Sequence, residues 1–426
     1  MNEEKKSKID DAGRILIEEL NAGPSKDLPR WRRVGQTLLI PALAILTGLI
    51  LGAILVVASS ESVWAGWGES PAAGFRAMFD EIRIAYGALF TGSFGNPARM
   101  IAALQGGDAL EIRRAFNPFL EGLVASTPFI FAGLAVAFGF NAGLFNIGAE
   151  GQLFIGATFA AWVGFSFTGL PPIIHIPLSF LAGALGGAIW GFIPGWLKAK
   201  TGGHEVINTI MMNFIAFRLV EWLLRGPMQR PESFVPISPD IQESAMLPRF
   251  FESPIRFHFG FFVALFMAWV VYWYLFRTKW GFDLRTVGAN PNAAKYAGMS
   301  IVTVTVLAMS LSGALAGMAG SNEVLGLNHN LALAFSSGYG FDSIAVALLG
   351  RSHPLGVVLA ALLFGFLRSG ATNMQVAAGI PVDIISVLQA FILVFIATPA
   401  IIRTIYRLKQ PVGYREGRFM RGWGGD

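Results

Sequence analysis

The residues of this chain that could do chemistry are few, and their spacing rules out most chemistries. His204-Glu205 matches the first half of a zinc-protease helix, in which a second histidine four residues on would complete the grip on the metal. Position 208 is Asn208, so that ligand is missing. The five histidines are scattered, and none stands with a serine and an acid as a nucleophile and its base would require. The chain has no cysteine, hence no disulfide framework, thiolate metal site or thiol nucleophile. It also lacks a Gly-x-x-x-x-Gly-Lys-Ser/Thr phosphate loop, so any ATP hydrolysis must fall to another polypeptide.

What remains is a set of acids and amides embedded in oily sequence. Glu150 lies in Asn141-Ala142-Gly143-Leu144-Phe145-Asn146-Ile147-Gly148-Ala149-Glu150-Gly151-Gln152, too polar and too rich in glycine for continuous membrane helix, yet flanked by apolar runs. Irregular backbone at membrane depth survives only where protein or a water-filled cavity satisfies its amides. A broken helix beside a pathway is therefore expected, with Glu150 a functional candidate. The competing reading is a cytoplasmic turn in which a solvated Glu150 caps the next helix. A second break, Ser336-Ser337-Gly338-Tyr339-Gly340-Phe341-Asp342, leads into an apolar run too short to span alone, which ends at Arg351-Ser352-His353-Pro354. It reads as a half-helix or a tilted, interrupted one, with Asp342 either functional or a helix N-cap. Glu205, Asn208, Thr209 and Met212 share one helix face by their spacing, and a polar stripe in a membrane helix must face protein or water.

The elements that position these residues follow from composition. With 54% hydrophobic and 14% charged residues in 426, the chain carries too little charge for a soluble domain, where roughly 25% is usual. Its apolar runs approach or exceed the roughly 20 residues that a helix needs to cross a bilayer. The spacing predicts an all-α, polytopic membrane protein with about ten transmembrane helices, centred on 38–58, 119–140, 151–169, 173–197, 205–224, 257–276, 301–319, 338–350, 355–370 and 381–403. A charged head (1–36), with a weakly amphipathic surface helix from Ile9 to Leu20, precedes the transmembrane domain (37–405), and a short tail (406–426) follows. The first run is longer than a signal-peptide core and should stay as an anchor.

The net charge of +5 forms no continuous basic face, so nucleic acid is not the partner. Basic residues instead punctuate the spans: Arg32 and Arg33, Lys198 and Lys200, Arg277, Lys279 and Arg285, then Arg403, Arg407 and Lys409. With an even number of crossings all four clusters fall on one side, which the positive-inside rule makes cytoplasmic, both termini included. The connection 60–118 is then extracytoplasmic, and Phe75, Phe79, Ile82, Tyr86 and Phe90 recur within it at helical spacing. They predict an interfacial helix, or a lid on the mouth of the bundle. Glycine is abundant at 50 residues, and Gly183, Gly187, Gly191 and Gly195 form a ridge for close helix packing, as do Gly313 and Gly317.

One cytoplasmic loop, 277–300, has a shape of its own. Asn290 suits a helix N-cap, Pro291 the first turn, Ala293 and Ala294 the body and Gly298 the end. A short helix of small residues between two spans fits a partner's cleft; an ordinary loop with one helical turn is the alternative.

At this point two stretches carry a resemblance. Gly288-Ala289-Asn290-Pro291 with Ala293-Ala294 and Tyr296-Ala297-Gly298, together with Gly143 to Gln152, resemble permease subunits of bacterial ABC importers for nucleosides and simple sugars. These belong to the broader branched-chain amino acid and ribose permease group. The resemblance spans about residues 36 to 405, apart from an extra stretch around Arg99 to Asn117. It implies a type II importer fold and a coupling helix that docks on an ABC ATPase subunit, involving Arg285, Gly288, Asn290, Pro291, Ala293, Ala294, Tyr296 and Gly298. It implies a second, paralogous permease subunit, an extracytoplasmic substrate-binding lipoprotein and a bacterial plasma membrane. No cofactor is expected on this chain, ATP being used by the partner. The implied cargo is a nucleoside, with a simple sugar such as ribose as the alternative. Phe145, Asn146, Gln152 and Tyr339 are then candidates to line the route, since a nucleoside offers a flat ring and polar edges. Glu150, Glu205, Asn208 and Asp342 complete the pathway set. An ion-coupled secondary transporter is the rival from another class, because broken helices and intramembrane acids suit it equally.

Overall fold

The computed structural model describes residues 30–408 apart from 382, so the expected surface helix at Ile9 to Leu20 lies outside the described residues. Among the described residues the backbone is helical or irregular, and β pairing is limited to two isolated bridges, Ile237 with Ala332 and Arg249 with His258. The helices run α1 (Arg30–Ser59), α2 (Glu61–Glu69), α3 (Pro71–Phe94), α4 (Pro97–Gly106), α5 (Ala109–Asn141), α6 (Ala149–Ser166), α7 (Pro172–Thr201) and α8 (Glu205–Leu224). After a long connection come α9 (Gly260–Arg277), α10 (Lys279–Ala289), α11 (Pro291–Tyr296), α12 (Ile301–Glu323), α13 (Tyr339–Leu349), α14 (Pro354–Ala378), α15 (Asp383–Ala397) and α16 (Pro399–Ile405).

By length and composition, seven of these can cross a membrane: α5, α7, α8, α9, α12 with the π turn that extends it, α14 and the Leu39–Ser59 part of α1. The three other expected crossings correspond to α6, α13 and α15. α13 has 11 residues and α15 has 15. α6 is apolar on every side and buried over most of its 18 residues, which marks it as the central helix.

Close backbone approach holds the centre together. Lipid tails are as apolar as leucine, so helices in a bilayer associate through packing contacts, which small residues allow at short range. The two glycine ridges read from the sequence meet each other. A Cβ on Gly187 would stand 2.8 Å from Gly317 Cα, and one on Gly191 would stand 3.2 Å from Gly313 Cα. Gly156 of α6 lies against Gly317 too, so α6, α7 and α12 converge on one side-chain-free seam. α5 and α14 pack antiparallel beside them, with Gly133 against Val357 and Gly122 against Phe366.

The stretch read as an interfacial insertion goes deeper than the bundle's mouth. α3 packs lengthwise on α14: Ser93 Oγ donates to Phe366 O (2.6 Å), and Gly92 lies against Asn373. Tyr86 Oη donates to Leu49 O (2.6 Å) in the middle of the apolar part of α1. The first half of α3 keeps the expected character, with Phe75 and Phe79 exposed and Arg83 paired with Asp80.

Two ends of the bundle are distinguishable. At the basic end lie Lys198 and Lys200, Arg277 and α10–α11, and Asn141 Nδ2 closes this end by donating to Ser352 O (2.8 Å). At the other end, ion pairs Arg113 with Glu252 (2.7 Å) and Arg256 with Glu121 (2.6 Å) tie α5 to the 225–259 connection.

Candidate functional site

The polar segment 142–148 breaks the chain between α5 and α6, and the structure shows what satisfies it. Gly143 turns at φ +70°, a conformation that suits glycine, and lies directly on the backbone of Gly288 at the end of α10. The chain then rises into the bundle. Asn146 is fully buried: Nδ2 donates to Gln152 Oε1 and to Ser312 Oγ (both 2.8 Å), and Oδ1 accepts from Gly148 N (2.9 Å). Ser312 Oγ in turn donates to Ala135 O, linking α12 to α5. Asn146 and Gln152, both read as lining a route, thus spend their amides on each other and on the break.

Asn213 of α8, which is not among the residues expected from the sequence, completes this clasp. It is buried, its Oδ1 accepts from Gly151 N (2.8 Å) and its Nδ2 donates to Ile147 O (3.0 Å). The available signal was its place four residues after Thr209, on the polar stripe already recognised. That stripe does face protein: Thr209, Met212 and Asn213 are buried, while Glu205 pairs with Lys198 (2.8 Å) and Asn208 is half-buried. Asn213→Ala should leave the buried Gly151 N–H and the partly buried Ile147 carbonyl unpaired and lower the stability of the purified protein by about 2 to 4 kcal/mol. A thermal melt in detergent measures this, and an unchanged melting temperature would show that the clasp does not matter.

Glu150 is buried inside the bundle rather than solvated in a turn. Its carboxylate accepts from Ser336 Oγ (2.6 Å) and from Gly340 N (2.5 Å), at the first turn of α13. The two sequence breaks therefore meet: the acid of one sits on the free amides that begin the half-helix of the other, where a helix terminus favours negative charge. Gly338, in a left-handed conformation, is the N-cap of α13, so Asp342 is not. Asp342 instead faces Arg368 of α14, 3.5 Å away, and Arg368 Nη2 donates to Ser337 O (3.2 Å). Tyr339 is buried edge-on against Phe129 (5.1 Å), with the Arg368 guanidinium 4.9 Å from its ring. Phe145 packs on Phe140 at the basic end (5.1 Å), away from this cluster. Beyond Glu150, Asn322 and Glu323 at the end of α12 are buried polar residues that sequence reading also missed. The Asn322 amide and Glu323 Oε1 have no hydrogen-bond partner.

The 277–300 loop folds as its spacing predicts. Asn290 Oδ1 accepts from Ala293 N (3.1 Å), Pro291 opens α11, and Gly298 closes it at φ +78° while Met299 N donates to Ala294 O. Ala294 is buried against the bundle, whereas Ala293 and Gly298 are exposed and Tyr296 is 95% exposed. Arg285 does not project: its guanidinium lies over the Phe276 ring (5.0 Å), which holds α10 to α9.

A helical membrane bundle with an irregular buried segment leading into its central helix, a cluster of charges within the bundle and a presented surface helix fits a multi-pass transport subunit. The comparisons with known proteins name the class. The family model described as "Branched-chain amino acid transport system / permease component" matches residues 119–397, and the chain belongs to that family. A guanosine ABC transporter permease protein of Bacillus subtilis, NupP, is 40% identical over 86% of this chain and 95% of its own length. A glucose ABC transporter permease protein of Haloferax volcanii is 35% identical over 89% of this chain and 91% of its own. A nucleoside ABC transporter permease protein of Lactococcus lactis, NupB, is 32% identical over 91% and 98%. No solved structure matches the chain.

Proposed function

We propose that this chain is the translocation subunit of an ATP-driven nucleoside importer in a bacterial plasma membrane, paired with a second permease subunit. The observation that carries the reading is α11. This capped helix stands at the basic end with Tyr296 and Ala293 outward, and α10 joins it to the break through Gly288 and Gly143. A separate ABC ATPase grips α11, and the positive-inside rule puts that end in the cytoplasm. An extracytoplasmic binding protein delivers cargo to the opposite end. The guanosine and nucleoside relatives favour a nucleoside; the Haloferax relative supports a simple sugar as the second reading. Within the pathway set, Glu150, Tyr339 and Asp342 act near the cargo, Asn146 and Gln152 hold the break, and Glu205, Asn208 and Phe145 belong to the cytoplasmic end.

The test is reconstitution of the chain with its ATPase, second permease subunit and binding protein in proteoliposomes. ATP-dependent nucleoside accumulation that survives collapse of ion gradients is expected, with glucose and ribose taken up at least tenfold more slowly. Uptake that needs no ATPase and stops with the ion gradient would replace this reading by secondary transport.

A further inference from the structure

Arg368 stands fourteen residues after Pro354 and ten before Ala378 in α14. At 1.5 Å per residue, that is about 21 Å from one helix end and about 15 Å from the other. The hydrocarbon core of a bilayer is about 30 Å thick, so this charge lies within it. Phe129, facing the same cluster, stands twelve residues from the basic end of α5, which agrees with that depth.

A guanidinium at such depth is normally enclosed by protein. Here it is not: the Arg368 side chain is 28% exposed, its partner Asp342 is 38% exposed, and the neighbouring Phe341 is 44% exposed. Ser337, which offers its carbonyl to Arg368, is exposed too. The Arg368 to Asp342 contact, at 3.5 Å, is loose enough to leave lone pairs and N–H groups of both side chains free. A charged residue at a helix centre is costly against lipid, so a face carrying two of them does not border hydrocarbon. Water or another polypeptide covers it.

The chemistry of the face decides what it meets. A carboxylate accepts from adjacent hydroxyls or ring N–H groups, a guanidinium donates to carbonyl and ring nitrogen acceptors, and an exposed phenyl ring offers an apolar face for stacking. We infer that Phe341, Asp342 and Arg368 form the cargo-contacting wall of the translocation route, with the base of a nucleoside against Phe341 and its polar edges and ribose hydroxyls on the ion pair. This rests on the permease reading above and assigns it a specific surface. A free sugar would satisfy the ion pair but leave the phenyl ring without a flat partner. Glu150, bonded to Ser336 and Gly340 just behind this wall, sets the position of α13 and does not itself reach the cargo.

The absence of cysteine makes the test direct, since each engineered thiol is the only one in the chain. Phe341→Cys, and separately Leu359→Cys on the exposed apolar face of α14, are introduced into the assembled importer in proteoliposomes and treated with a hydrophilic methanethiosulfonate reagent. The expected result is modification of Phe341→Cys at least tenfold faster than Leu359→Cys, slowed severalfold by guanosine during ATP-driven turnover. Asp342→Asn should raise the KM for guanosine by tenfold or more while the KM for ATP stays within twofold. Labelling of Phe341→Cys in the isolated chain that disappears once the second permease subunit binds would identify a dry subunit interface and overturn the proposal. Labelling as slow as at Leu359→Cys, or unaffected by guanosine, would also overturn it. If the wild-type importer itself fails to accumulate nucleosides, the permease reading falls, and the wild-type arm reports that separately from the variants.

Discussion

Gly187→Leu should leave essentially no folded protein in the membrane. The new side chain would start in contact with the Gly313 carbonyl and 2.8 Å from Gly317 Cα, and both obstacles are backbone. Neither can swing aside as a side-chain tip would, so α7 and α12 would have to part along the seam that also receives α6. Overpacking of this kind typically costs about 1 to 3 kcal/mol where neighbours can adjust. Where two backbones abut, the loss should exceed that range. Size-exclusion elution and a thermal melt of the detergent-purified variant measure it. Gly68→Leu, with open space around its Cβ, is the control and should behave as wild type. A monodisperse Gly187→Leu protein with an unshifted melt would mean that the seam is not the core of the bundle.

The largest expected effect on activity without loss of fold belongs to Ala293→Arg. Ala293 is exposed on α11, so an arginine there can extend outward and insertion and melting should be unchanged. On the docking proposed for α11, ATP-driven uptake should fall at least a hundredfold, because a long charged side chain would hold the partner's surface away from the helix. Tyr296→Ala removes a 95% exposed aromatic of the kind that anchors interfaces, and should weaken co-purification of the ATPase subunit by about 2 kcal/mol, or roughly thirtyfold. Unchanged uptake and unchanged co-purification in both variants would remove the docking role from α11.

Most of this architecture was legible in the residues, and the parts that were not have physical reasons. Glycines at every fourth position announced two ridges, but spacing within a helix cannot say which other helix it meets; that they meet each other is a matter of tertiary packing. The break at 141–152 was visible because glycine and amide residues interrupt an oily run. The role of its members was less so. An amide that lines a route and an amide that staples a backbone look alike in sequence, and here Asn146 accepts from Gly148 N while Gln152 bonds to Asn146. Arg368 is not legible as an interior charge, because an apolar run that ends near residue 370 makes an arginine there a boundary marker. The helix continues to Ala378, past Ser369, Thr372, Asn373 and Gln375, and so carries the charge into its interior. Phe75, Phe79, Ile82, Tyr86 and Phe90 likewise point to an interfacial helix, although the second half of α3, from Ala85 to Ser93, has the small residues of a buried one.

At the junction of α10 with the start of the break, Gly143 rests on Gly288 with no side chain from either residue between them. Rotamer changes usually soften a push before it travels far, and here there is no rotamer to change. A tilt of the exposed α10–α11 segment would therefore arrive at the break undamped, as a strike on bare bone rather than on padding. Filling that joint with even one methyl group would shim the two pieces apart and detune the stroke before any cargo was met.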